Sequence, residues 1–181
     1  VHQDYATSID DYERVTLPDG SVLQLNANST VSTQFTPEER RVRLLQGEAY
    51  FTVTRDEARP FVVEVGDLAV RALGTAFNVR LSQSDVEVLV TEGKVKVAKT
   101  LALAADSHAL PSNGGNSEAL LTERAAYLAA SERVRFSREQ VVVTPSAVEK
   151  VAPEVVREAL AWQEPRLRFD NTPLADVVAQ F

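Results

Sequence analysis

From Tyr12 to Ala98 apolar residues fall at every second position, and turn residues interrupt them every eight to twelve positions. Val15 and Leu17 alternate with polar neighbours, then Pro18-Asp19-Gly20-Ser21 follows. Pro presets φ and Gly allows positive φ, so this is a turn. Leu23 and Leu25 resume the alternation up to a turn at Asn26-Ala27-Asn28-Ser29. Val31, Thr33 and Phe35 lead to Thr36-Pro37-Glu38-Glu39. Val42 and Leu44 then alternate with Arg41 and Arg43, and Gln46-Gly47-Glu48 reads as the end of that run. Phe51 and Val53, Phe61 to Val65, Leu68 and Val70, Phe77 to Leu81, Val86 to Val90, and Val95 with Val97 extend the series. The pattern predicts many short strands, closed into a sandwich, a barrel or a solenoid-like stack. Gly47-Glu48, Gly66-Asp67 and Glu92-Gly93 are weakly alike, without a strict period.

The alternation stops between Thr100 and Ser117, where Pro111-Ser112-Asn113-Gly114-Gly115 reads as an exposed loop. Short strands are expected again at Ala119–Leu121, Ala125–Leu128, Val134–Phe136 and Val141–Val143. After Thr144 the period changes. Pro153 suits a first helical turn, and Val155, Val156, Ala159 and Leu160 repeat at helical spacing up to Trp162. Arg166 to Phe169 alternates once more. Thr172 and Pro173 then open a helix with Leu174, Val177, Val178 and Phe181 on one stripe. The expected organisation is therefore a mainly β unit over 1–144. A linker helix and the start of a small, incomplete α+β module follow over 145–181.

Composition narrows the function. Of 181 residues, 44% are hydrophobic and 25% charged, a globular balance. The formal charge of −7 argues against nucleic acid and anionic lipid as partners. Cysteine is absent, which excludes disulfides, thiolate metal sites and thiol nucleophiles. Methionine is absent too, so Val1 is expected not to be a native start and the chain to be a piece of a longer protein. No apolar run reaches the ~18 residues that a membrane helix requires.

Candidate chemistry is sparse. His2 stands beside a terminus and His108 beside the expected loop, and neither offers the rigid support that a triad base needs. Asp4, Asp10, Asp11 and Glu13, like Asp56 and Glu57, read as solvated charges, because none has the spacing of a calcium loop. Arg40, Arg41 and Arg43 read as one strand's exposed face. Trp162 reads as a core or inter-module anchor. No cofactor, metal or catalytic residue is expected, and an enzyme is disfavoured. A carbohydrate- or cell-wall-binding β domain remains the alternative to a protein-binding module, although aromatics are only 7% and mostly core-facing.

Several motifs in order nevertheless resemble a known family. They are Val15-Thr16-Leu17-Pro18-Asp19-Gly20-Ser21, Leu25-Asn26 with Ser29, and Arg41 through Gly47-Glu48 to Val53. Arg59-Pro60-Phe61-Val62-Val63, Val70 through Gly74-Thr75-Ala76-Phe77-Asn78-Val79, and Val90-Thr91-Glu92-Gly93-Lys94-Val95-Lys96-Val97 complete the set. Together they resemble the FecR family of cell-surface-signalling regulators of Gram-negative bacteria, closely over Tyr12–Ala98 and more loosely to Thr144. Leu160 through Trp162, Pro165-Arg166-Leu167-Arg168-Phe169-Asp170 and Pro173-Leu174 resemble the start of a secretin/TonB N-terminal-like (STN) module, with Pro165 where that family usually has Gly.

The resemblance implies the periplasmic part of a single-pass inner-membrane anti-sigma regulator. Its partner would be the N-terminal signalling domain of a TonB-dependent outer-membrane receptor, usually for an iron carrier. An ECF sigma factor would bind a cytoplasmic segment lying before Val1. The expected contact is strand addition at Arg166–Asp170, with Arg166, Arg168 and Asp170 facing the partner.

Overall fold

A computed structural model of the chain describes residues 2–99, 125–138 and 147–163. Its strands are β1 (His2–Ala6), β2 (Glu13–Thr16), β3 (Val22–Leu25), β4 (Thr30–Phe35), β5 (Arg40–Thr52), β6 (Phe61–Val65) and β7 (Leu68–Ala72). They continue as β8 (Ala76–Leu81), β9 (Asp85–Glu92), β10 (Lys94–Lys99), β11 (Ala125–Ala129), β12 (Glu132–Ser137) and β13 (Val148–Lys150). One helix, α1 (Pro153–Ala159), leads to a 3-10 turn at Ala161–Gln163. The protein is mainly β, as the alternation implies. Expected strands at 119–121, 141–143 and 166–169, and the helix from Thr172, lie outside the described residues.

All the strands join one 13-stranded sheet, nearly closed into a barrel-like shape. Its pairings run through two layers that share β5. One layer has the order β1-β4-β5-β6-β7-β10-β11, the other β2-β3-β5-β8-β9-β12-β13. The pairings are antiparallel except β5 with β6. The alternating residues face inward and form one cluster, including Leu23, Leu25, Val42, Phe51, Phe61, Phe77, Val88 and Val97. Phe51 stacks on Phe77 at 5.3 Å and meets Phe61 edge-on at 5.9 Å. Burial of each such side chain contributes about 1.5–3 kcal/mol against exposure.

β5 organises both layers. Its 13 residues would reach about 43 Å if straight. Instead Arg40 Nη1 donates to the carbonyl of Thr54 at 2.8 Å, so the two ends of the strand meet. The fold-back is at Gly47, with φ +84°. The Gln46-Gly47-Glu48 stretch therefore does not end the strand, contrary to the sequence expectation. Gly47 pairs with Leu81 and the ladder continues to Thr52 opposite Ala76. One positive-φ residue bends a strand without ending its pairing.

β1 was not expected from the sequence. Its residues His2-Gln3-Asp4-Tyr5-Ala6 are largely exposed, and it is held by its ladder to β4. An edge strand that buries almost nothing carries no hydrophobic period.

Candidate functional site

The turn at Leu17–Ser21 builds the first of two polar nodes, and this one is buried. Gly20, at φ +82°, closes it with its N–H donating to the Leu17 carbonyl at 2.9 Å. That turn aims the Asp19 carboxylate inward, where it accepts from Ser21 N–H at 3.1 Å and Ser21 Oγ at 2.6 Å. Arg40 Nη1 donates to the same carboxylate at 2.7 Å, with both side chains sealed from solvent. Arg40 also donates from Nε to the Arg59 carbonyl at 2.8 Å and from Nη2 to the Asp56 carbonyl at 3.4 Å. Its guanidinium carbon lies 5.4 Å from the Phe61 ring centroid. The Thr54 N–H donates to Ser21 Oγ at 3.0 Å.

The expectation that Arg40, Arg41 and Arg43 share an exposed face is corrected for Arg40, which is 0% exposed. The signal was strand parity: Arg40 is in step with inward Val42 and Leu44, whereas Arg41 and Arg43 are not. The charge is accommodated because carbonyls and Asp19 replace its water.

The second node lies at the β5 bend. Ser29 Oγ donates to the Glu48 carbonyl at 3.0 Å and accepts from the Glu48 N–H at 2.9 Å. A Cβ on Gly47 would lie 2.3 Å from that Oγ, so only glycine admits the contact. The Glu48 carboxylate accepts from Asn26 Nδ2 at 2.9 Å and Asn78 Nδ2 at 2.7 Å. Thr7 Oγ1 donates to the Asn26 carbonyl at 2.6 Å and accepts from the Ser29 N–H at 3.0 Å. The node thus ties the β1–β2 segment, the β3–β4 turn, β5 and β8. Asn78 Oδ1 and Thr75 Oγ1 are buried without a partner.

The exterior is laced by ion pairs. Glu64 takes Arg41 and Arg43, and Glu87 takes Arg133 and Arg135, while Arg133 also reaches Glu149. Hydrogen bonding to the Glu87 carboxylate raises the Arg135 guanidinium above its ordinary range. Arg55 pairs with Glu57, and a hydrogen bond from Arg59 holds the Asp56 carboxyl below its ordinary range. His2 sits exposed, 3.4 Å from Asp4. Among the described residues no three His, Cys, Asp or Glu side chains converge as metal ligands. Trp162 meets the Tyr12 ring at 5.9 Å. His108 and the expected contact residues Arg166, Arg168 and Asp170 lie outside the described residues.

The motif residues Asp19, Ser21, Asn26, Ser29, Gly47, Glu48 and Asn78 thus make joints between strands, buried at Asp19 and Ser21 and partly buried at Asn26 and Glu48. In comparison with known proteins, the model of the FecR protein family matches residues 3–96. The chain belongs to the FecR family. The matched part of this FecR chain runs from β1 into β10, and so includes both nodes. Two crystal structures of a candidate anti-sigma factor from Parabacteroides distasonis are similar in fold, at TM-scores of 0.69 and 0.68 and 26% identity in each. The similarity covers 99% and 98% of the FecR chain, and 73% and 72% of the two structures. No curated protein matches it.

Proposed function

We propose that this chain is the periplasmic, signal-receiving part of a membrane anti-sigma regulator. The observation that carries this reading is the family match, joined to a 26%-identical similarity over 99% of the chain with a candidate anti-sigma factor. The two nodes suit such a role, because they make the β unit a stiff body on which a contact module can be mounted. Among the described residues no helix is long and apolar enough to cross a membrane.

In the finer reading, the module beginning near Arg166 receives the signalling domain of a TonB-dependent receptor. Arg166, Arg168 and Asp170 contribute to that contact by strand addition. The regulator then passes iron-carrier availability to an ECF sigma factor held by its cytoplasmic segment. Calorimetric titration of a receptor signalling domain into this chain, and into a form extended beyond Phe181, tests it. Saturable binding is expected for the extended form, weakened by Arg166→Glu with Arg168→Glu. No binding by the extended form overturns the receptor reading. Equal affinity of the two forms moves the contact onto the β-rich part.

A further inference from the structure

We propose that Val148–Gln163 is a detachable strap, clasped at its tip by Tyr12, whose release couples events beyond Gln163 to the segment preceding β2. The coupling rests on the relay reading above; the strap does not.

The topology sets the strap's path. Among the described residues, β13 is one margin of its layer and pairs only with β12, while β2 is the opposite margin and pairs only with β3. Tyr12 directly precedes β2. Because the Trp162 and Tyr12 rings lie 5.9 Å apart, tilted by 60°, the strap leaves one margin of the layer and arrives at the other. Tyr12 is held from the sheet side as well, its hydroxyl donating to Gln24 Oε1 at 2.8 Å. The clasp is therefore a wedge with one end on β3 and the other on the strap.

The base of the strap is firm. Val151 is buried, and its N–H donates to the Ser131 carbonyl at 2.8 Å. Beyond Val151, little among the described residues holds it. α1 has seven residues, none buried, and its N-cap Ala152 supplies no side-chain hydrogen bond. Helices this short are marginal without packing. At the tip, Trp162 Nε1 and Gln163 Nε2 are both buried without an acceptor. Two unpaired donors oppose closure, while the aromatic pair and the partial burial of Val155, Val156 and Leu160 favour it. Such a balance gives an element that opens alone, well below the energy of global unfolding. Two close-lying states are what a signal can bias.

Tyr12 also connects the clasp to the β5 node. The chain runs back from Tyr12 through Asp10 and Ile9 to Thr7, whose hydroxyl bridges Asn26 and Ser29. Release of Trp162 thus loosens the near end of a segment anchored at Thr7.

Trp162 is the single tryptophan, so its emission reports the tip alone. In this 181-residue chain, Tyr12→Ala is expected to shift that emission to the red and raise acrylamide quenching. Amides of residues 153–163 should exchange hydrogen before those of β5, β8 and β9. Their rate should rise roughly 2- to 12-fold in Tyr12→Ala, the contribution of one aromatic pair expressed as an equilibrium. Tyr12→Phe, which keeps the ring, should retain the parent emission. Unchanged emission in Tyr12→Ala, or strap amides that exchange only with global unfolding, overturns the strap. In the full-length regulator, Tyr12→Ala should break the response of a sigma-dependent reporter while leaving receptor-domain binding intact. A normal response despite a released strap overturns the coupling. Failure of even the parent protein to bind the receptor domain would instead be a failure of the functional reading, and the fluorescence result would stand.

Discussion

At the residue scale, Arg40 shows how a buried charge is kept. The guanidinium has carboxylate and carbonyl acceptors in Asp19, Thr54, Arg59 and Asp56, and no exposure. Arg40→Met removes one partner and leaves Asp19 buried without its counter-charge. The expected loss is about 3–5 kcal/mol in denaturant unfolding, of which added Asp19→Asn should restore a part. A loss under about 1 kcal/mol would mean that water replaces the guanidinium. Asp56 gives the pH-linked case. Arg59 holds its folded-state pKa below the unfolded value, so this pair stabilises at pH above the ordinary aspartate range. The contribution fades as pH falls through the depressed folded value. Arg59→Ala should raise the Asp56 midpoint toward that of a free peptide in a carboxyl-carbon NMR titration, and an unmoved midpoint refutes the pairing. Much of this was readable beforehand. Asp19 in a Pro-Asp-Gly-Ser turn and Arg40 in step with Val42 and Leu44 were both visible. That they meet was not, because 21 residues separate them.

At the element scale, β5 carries the main departure from the sequence pattern. A glycine between two alternating runs reads as a turn, and at Gly66 that reading holds: with φ +57° it connects the paired strands β6 and β7, whereas Gly93, with φ +79°, carries the chain from β9 in one layer to β10 in the other. Gly47 has a similar dihedral but stays in the ladder, because β3, β4, β6 and β8 pair along both halves of the strand. Gly47→Ala combines an unfavourable positive φ with a Cβ 2.3 Å from Ser29 Oγ. We expect it to destabilise by about 2–5 kcal/mol. Ser29→Ala in the same background should not recover the loss, since the Asn28 carbonyl and Ser29 Cα would still lie 2.6 and 2.7 Å from that Cβ. α1 is the opposite case. Pro153 and the helical spacing of Val155, Val156 and Leu160 located it, and it forms at Pro153–Ala159.

At the scale of the whole molecule, the two layers enclose one apolar cluster, and long-range strand pairing dominates the fold. Its motifs are spread over the chain because each is half of a joint. Leu17–Ser21 needs Arg40 and Thr54, and Asn26–Ser29 needs Glu48 and Asn78. The assembled unit carries ion pairs such as Glu64 with Arg41 and Arg43 along its outer faces and, among the described residues, a weakly held strap between two margins.

The sequence alone determined the strand content, most turn positions, the inward residues and the family, because period-two alternation and turn chemistry are local properties of the chain. It also showed the lack of thiol chemistry, a matter of composition. Only the tertiary structure decided that β5 continues through Gly47, that Arg40 meets Asp19, that β1 exists, and that Trp162 reaches Tyr12. Each of these depends on residues far apart in the chain, and their meeting is set by closure of the sheet rather than by any local preference.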